Sequence, residues 1–332
     1  MDSPLVSIGM PVYNGERYLP EALDSLLAQD YPNIVITISD NASTDATEAI
    51  CKRYAERDAR IRYQRAARNM GAVWNFNRVF ELSEGEFFMW AAFDDLRDPA
   101  FVSKCLAALQ ANPGAVLCYS DIRFIDERGE PVPFGLKTLH PTSESLEGRV
   151  SAMALSSFWY GFYGLMRADA LAKTRLARPV WGFDVVLLME VCLRGDVLFV
   201  PEQLFAYRVF TEKTAKDMAA TLEPVAQQNS IPVSWSQQAF ETARAVWLAP
   251  VALPHRLRLV TQFLWEFCVR HGAMHELVSA DVRPALKRAL AERSAGLFLG
   301  LLPVGGLVFS VRLARRVASS AQYRWGRIRR AL

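Results

Sequence analysis

The sequence predicts an α/β protein on a doubly wound, mostly parallel sheet with helices on both faces, followed by a helical C-terminal appendage. Over about the first 120 residues short apolar runs alternate with stretches of helical periodicity, the pattern of repeated strand–helix–strand units. Phe87 to Phe93 is apolar throughout, as a strand covered on both faces must be. After about residue 215 the periodicity is helical alone.

Val6 to Met10 is a short apolar strand ended by Pro11. Leu19, Ala22, Leu23, Leu26 and Leu27 then recur at helical spacing, with Pro20 tolerated in the first turn. Ile34 to Ile38 is a β-branched strand. Asp45 and Glu48 read as a capping box, with Ala46, Ala49, Ile50 and Tyr54 as the apolar stripe behind it. A short strand at Ile61 to Tyr63, a helix from Trp74 to Leu82 and the strand Phe87 to Phe93 follow. A helix from about Ala100 to Gln110 leads into a strand at Val116 to Tyr119. Asp126 to Leu155, rich in Pro, Gly, Ser and Glu, reads as a long loop. A strand at Phe162 to Met166, a helix from Asp184 to Arg194 and a strand at Val197 to Val200 stopped by Pro201 complete the series.

The composition is ordinary for a globular chain of 332 residues, 51% hydrophobic and 22% charged. A net charge of +3 argues against nucleic-acid binding. Residues 312–332 carry seven arginines and no acid, which leaves about −4 upstream and marks a basic tail. The five cysteines are scattered without a C-x-x-C pair, and Cys105, Cys118 and Cys192 lie in apolar runs, which favours reduced core thiols. No basic segment followed by an apolar run opens the chain, so no signal peptide is expected. His271 and His275 share a helical face, but no glutamate follows His271, so a solvated face is the reading.

In parallel sheets ligands bind beyond the carboxyl ends of the strands. Three such ends carry polar residues: Pro11-Val12-Tyr13-Asn14, the run from Asp40-Asn41 to Asp45, and Asp94-Asp95. Two adjacent acids after a buried apolar strand read either as turn and cap residues or as ligands of a divalent cation, since close like charges are costly without one.

The P-V-Y-N and D-N-A-S-T-D strings between Val6 and Asp45 resemble the start of family 2 glycosyltransferases of the GT-A fold. Asn69-x-Gly71, Glu84-Gly85-Glu86, the strand into Asp94-Asp95, Phe183-Asp184, Gly195 and Tyr207-Arg208 continue the resemblance in order, over roughly residues 5–210. The resemblance implies a transferase domain at 1–215, with a donor site in 1–125 and an acceptor side in 126–215, and a helical region at 216–332. It implies an inverting, metal-dependent transfer from a nucleotide-diphosphate sugar to a glycan or lipid-linked acceptor in bacterial envelope polysaccharide assembly. Pro11, Tyr13, Asn14, Asp40 and Asn41 would hold the nucleoside. Asp95 would bind Mn²⁺ or Mg²⁺, and Asp94 would reach the ribose or a metal-bound water. Asp184 would be the general base, and Arg208 and Trp181 would contact the diphosphate or the acceptor. Asp at a helix start is also favoured electrostatically, and donors there would hold its carboxyl low and ionised. Trp159, Tyr160 and Trp181 read either as sugar-stacking rings or as buried packing.

The chain departs from the family pattern at four places. Asn41 stands where many relatives carry a second acid, and Ala92 or Phe93 where the metal motif begins. Phe183 replaces an acid beside the base, and Val209-Phe210 follows Arg208 where a histidine is common, with Lys213 or Arg208 as substitutes. Two rival readings follow: a catalytically impaired sugar-nucleotide binder or membrane scaffold, and a nucleotidyltransferase, for which Asn14-Gly15-Glu16-Arg17 is a poor triphosphate loop. The uncharged stretch 294–311, interrupted by Pro303 and Gly305-Gly306, reads as a buried helix pair or as an interfacial segment. With the arginine tail after it, it favours an anionic membrane surface and a cytoplasmic, peripheral location at the inner face of the cell membrane.

Overall fold

The computed structural model describes residues 3–133, 140–155, 159–210 and 234–267. In chain order the elements are β1 (Val6–Val12), α1 (Leu19–Leu27), β2 (Ile34–Asp40), α2 (Thr47–Arg57), β3 (Ile61–Arg65), α3 (Ala72–Glu81), β4 (Phe87–Trp90), β5 (Leu96–Arg97), α4 (Phe101–Ala111) and β6 (Ala115–Ile125). α5 (Leu146–Leu155), a 3₁₀ turn (Trp159–Tyr163), β7 (Leu165–Arg167), α6 (Ala168–Ala172), α7 (Phe183–Cys192), β8 (Asp196–Arg208), α8 (Ser234–Trp247) and α9 (Leu253–Trp265) follow.

Among the described residues one sheet runs in the order β3-β2-β1-β4-β7-β6-β8-β5. β3, β2, β1 and β4 are parallel, the doubly wound half that the sequence predicts. Beyond β4 the sheet is mixed: β7 is antiparallel to β4 and β6, β8 is parallel to β6, and β5 is antiparallel to β8. Val6, Ile8, Met10, Ile36, Ile38, Phe88 and Trp90 are fully buried, so the parallel strands are covered on both faces.

Several sequence expectations change here. Pro201 does not stop the strand after Val200. β6 pairs Ser120 with Val200 and then Asp121 with Gln203, so a bulge takes up Pro201 and Glu202 and the strand runs on to Arg208. The span read as a loop up to Leu155 contains α5, whose Arg149 is buried and satisfied by the carbonyls of Cys192, Ser143 and Glu144 and by Asp196. The Asp45–Glu48 capping box is absent. Asp45 accepts from the Thr47 N–H, while Glu48 pairs with Lys52 at 2.7 Å and Arg65 at 3.1 Å. The strand expected over Phe162 to Met166 is a 3₁₀ turn followed by three residues of strand. Cys51, Cys105, Cys118 and Cys192 are buried free thiols. His271, His275, the stretch 294–311 and the arginine tail lie outside the described residues.

An aromatic column ties the sheet to the start of α7. Trp90 stacks on Phe162 at 4.3 Å and donates its indole N–H to the Phe76 carbonyl. Phe76 and Phe162 both pack on Phe183, at 5.4 and 5.8 Å between centroids. The ring of Phe183 thus fixes the residue next to it, Asp184, relative to the strand that leads into Asp94 and Asp95.

Candidate functional site

The carboxyl ends of β1 and β2 are level, with Val12 paired to Asp40. The loops beyond them are laced together by short polar side chains. Asn14 takes a positive φ of 51°, which Asn tolerates better than most residues. Its amide oxygen accepts from the Thr44 N–H at 2.8 Å, and its own N–H donates to Ser43. Gly15 donates to Thr47, and a Cβ on Gly15 would lie 2.8 Å from the Phe93 ring, so glycine lets the first loop close onto the turn holding the acid pair.

Asp40 is fully buried, and both carboxylate oxygens are engaged. One accepts from the Ser43 N–H and hydroxyl; the other accepts the Tyr63 hydroxyl at 2.7 Å and lies 3.4 Å from Arg65. Asn41 is likewise spent internally, donating to Asn69 and the Gly71 carbonyl and accepting from the Met70 N–H. The nucleoside contact expected of Asn41 therefore requires these bonds to be exchanged; in this structure Asn41 pins the Asn69–Gly71 turn. Pro11 is buried beneath the loops, whereas Tyr13, 41% exposed, and the exposed Asn14 stand at their rim with area to offer a ligand. Sequence reasoning missed Asn75. It is buried in α3, and its amide donates to the carbonyls of Val12 and Ser39, fastening both strand ends. A polar residue on the apolar side of an amphipathic helix was the available signal.

Asp94 and Asp95 lie between β4 and β5. Asp95 is 4% exposed; one oxygen accepts from the Arg208 N–H at 2.8 Å, and the other is buried with no hydrogen-bond partner. Burial, and then the Asp94 charge, push its carboxyl up to about 8. Arg97, buried behind the turn with its pKa lowered to about 10 by burial, and Arg208 offset part of that. A buried carboxylate oxygen without a donor, beside a second acid, fits a divalent cation. Among the described residues no cluster of three or more acids, histidines or cysteines could hold a metal, so Asp95 and Asp94 would need ligand oxygens from a bound diphosphate or water.

Arg208 departs from its expected role. Nε donates to the Asp94 carbonyl, Nη1 to the Asp126 carbonyl, and Nη2 pairs with Glu21 at 2.8 Å, while the guanidinium lies 4.5 Å over the Tyr18 ring. With each nitrogen engaged inside the protein, it clamps the Asp94–Asp95 turn instead of reaching outward to a diphosphate. Glu21, 187 residues away in sequence, gave no local signal of this pairing.

Asp184 sits in the first turn of α7 and accepts from the Val185 N–H at 2.9 Å. The expectation that helix donors hold its carboxyl low is overturned: burial outweighs them and raises it to about 6. Gly182 caps the helix at a φ of +67°, and a Cβ there would meet the amide of Gln238, the buried residue of α8 packed on it. Trp181, just before it, is half-buried. Burial raises the Tyr207 hydroxyl pKa well above the ordinary range, and the charges of Asp95, Asp94 and Asp184 add to this. Tyr163 feels burial, Tyr207 and the same three acids. All three carboxylates thus lie within electrostatic reach of one pair of tyrosines, and Trp159 is edge-on to Tyr207 at 4.5 Å.

The family model for glycosyl transferase family 2 matches residues 7–173. The chain belongs to that family. It is 35% identical over 133 residues to an uncharacterised glycosyltransferase of Rickettsia typhi, covering 40% of this chain and 41% of that protein. It is 29% identical over 230 residues to an uncharacterised protein of Mycobacterium tuberculosis, covering 64% and 65%. The chain thus spans less than two thirds of these relatives. TarS of S. aureus, solved as residues 1–349 in complex with UDP-GlcNAc, superposes with a TM-score of 0.64 at 17% identity, over 92% of this chain and 81% of that one. The mannosyltransferase PcManGT from Pyrobaculum calidifontis, in complex with GDP-Man and Mn²⁺, gives 0.55 at 14% identity, over 94% and 87%. At these identities the likeness shows the fold: this family 2 chain has the mixed, curled α/β sheet of its GT-A neighbours.

Proposed function

We propose that this family 2 chain is a nucleotide-sugar-dependent, inverting glycosyltransferase whose donor is held with a divalent cation. The observation that carries the reading is the convergence of Asp94, Asp95 and Asp184 on Tyr163 and Tyr207. The nucleoside would lie across the ends of β1 and β2, against the exposed Tyr13 ring, over the loops that Asn14, Asp40 and Asn41 hold in place. Asp95, helped by Asp94, would hold Mn²⁺ or Mg²⁺. Such a cation supplies charge stabilisation for a departing diphosphate. Asp184, raised to about 6, is ionised at neutral pH yet basic enough to take a proton from an acceptor hydroxyl, the tuning expected of a general base. Neighbours solved with UDP-GlcNAc and with GDP-Man and Mn²⁺ support a nucleotide-sugar donor.

The acceptor is a glycan or a lipid-linked sugar, and the setting is envelope polysaccharide assembly at the inner face of the membrane. The basic tail supports a peripheral anionic contact, and among the described residues no helix is long and apolar enough to cross a membrane. The test is turnover: UDP- and GDP-sugars are incubated with the protein and Mn²⁺, and release of the nucleoside diphosphate is followed. Release with inversion at the transferred sugar supports the reading. Tight nucleotide binding without release under any donor–acceptor pair would favour the impaired binder.

A further inference from the structure

α9 is apolar on two opposite sides. One side is interior: Leu259 and Phe263 are 0% and 1% exposed, and the helix packs on α5 and α8. The other side carries Leu253, Leu257, Thr261 and Trp265, four residues apart and so on one stripe. Its three apolar members are each more than half exposed, at 55%, 52% and 51%. Leu257, Thr261 and Trp265 line a shallow open groove with Arg258 and Gln262. α8 and the residue after it add exposed Phe240, Trp247 and Leu248. Most of the exposed large apolar side chains among the described residues thus gather on this helix pair, which a scattered surface would not do.

Within α9 itself the charge has one sign, while Glu147 of α5 lies beside it, paired with His255 and near Arg258. From Leu253 to Trp265 there is no acid, and Arg256 and Arg258 flank the stripe. Glu266, which follows, is buried, and the half-exposed Arg244 of α8 is paired with Glu241. Residues 268–332 continue directly from α9 and end in the arginine tail. A tail of the same sign is a poor cover for an arginine-flanked face, but both suit one anionic plane.

We propose that the outer face of α9, centred on Leu257 and Trp265, docks on an anionic lipid bilayer. The leucines and tryptophan would enter the headgroup boundary while Arg256 and Arg258 meet lipid phosphates, the division of labour of interfacial helices. This rests on the peripheral location proposed above and adds a folded surface to it, separate from residues 294–332.

The test is co-sedimentation of the full chain with phosphatidylcholine vesicles, with or without roughly a third phosphatidylglycerol. The wild type is expected to bind the anionic vesicles. Leu257→Ser with Trp265→Ser should weaken that partitioning at least about tenfold, with unchanged Mn²⁺–nucleotide binding. If the wild type binds and the double variant binds equally, the inference fails and attachment belongs to another segment. Absence of wild-type binding to anionic vesicles overturns both the inference and the peripheral location. Lowered thermal stability of the variant in solution, or a dimer in sedimentation velocity that it dissolves, also overturns the inference, because the chain itself or a second copy then covers the face.

Discussion

Replacing Asp184 with Asn should produce a more stable and much slower protein. The folded-state pKa of Asp184 is raised from 3.8 to about 6, so between those values the folded protein keeps a proton that the unfolded chain releases. Stability contributed by this group therefore falls as pH rises through the window, and above about 6 the penalty is constant. Two pH units at about 1.36 kcal/mol each give roughly 3 kcal/mol as the ceiling of what Asn recovers. Asn keeps an oxygen for the Val185 N–H, so the helix start survives. Urea unfolding of both proteins at pH 8 should show a gain of about 1–3 kcal/mol that shrinks toward zero near pH 4. Turnover should fall about 10²–10⁴-fold with donor affinity unchanged. In the wild type at saturating Mn²⁺, which would keep Asp95 ionised, kcat/KM should drop about tenfold per unit as pH falls below about 6, as Asp184 takes up its proton. A variant with wild-type turnover, or one whose stability gain over the wild type is no larger at pH 8 than at pH 4, would refute the reasoning.

Asp95→Asn should abolish Mn²⁺-dependent stabilisation by nucleoside diphosphates in thermal shift while keeping the fold, since Asn still accepts from the Arg208 N–H; retained metal dependence would move the cation elsewhere. Arg208→Met removes bonds to the Asp94 and Asp126 carbonyls and to the half-exposed Glu21 and should cost about 2–4 kcal/mol in urea unfolding; a loss under about 1 kcal/mol would end the clamp assignment. Gly182→Ala combines a φ of +67° with a clash against Gln238 and should destabilise by roughly 1–3 kcal/mol, part of which Gln238→Ala should restore in a double-mutant cycle. Simple additivity of the two changes would show that Gln238 does not constrain Gly182.

The parallel half of the sheet was legible because its strands are buried on both faces and its helices are amphipathic; β1 through β4 begin where the periodicity puts them, although β1 runs through Pro11 to Val12 and β4 ends at Trp90 instead of Phe93. The mixed half was less so. Pro201 reads locally as a stop, and a bulge partnered by β6 is a tertiary fact. Leu96–Arg97 is too short to carry a pattern, and α5 hides in a polar stretch because its Arg149 is satisfied by groups on other elements. The motif residues were legible as types in order. Their chemistry was not, because it depends on burial and long-range partners. Asp184 looked held low by its helix position and is raised instead, and Arg208 looked available and is occupied by Glu21. Phe183, which seemed a loss beside Asp184, anchors that residue to Trp90 through Phe76 and Phe162.

One carboxylate oxygen of Asp95 is buried without a hydrogen-bond partner, and in the proposed donor site a cation and a donor diphosphate would complete its contacts. Calorimetric titration of UDP and GDP into the full chain, with Mn²⁺ and with a chelator, tests it most directly. At least one nucleotide should bind in Mn²⁺ and lose about tenfold or more in affinity, about 1.4 kcal/mol, when the metal is removed. The Asp95→Asn variant should bind at the weaker level under both conditions. Equal affinity with and without metal in the wild type, or undiminished Mn²⁺-dependent binding by the variant, would contradict the assignment of the donor site to Asp94 and Asp95.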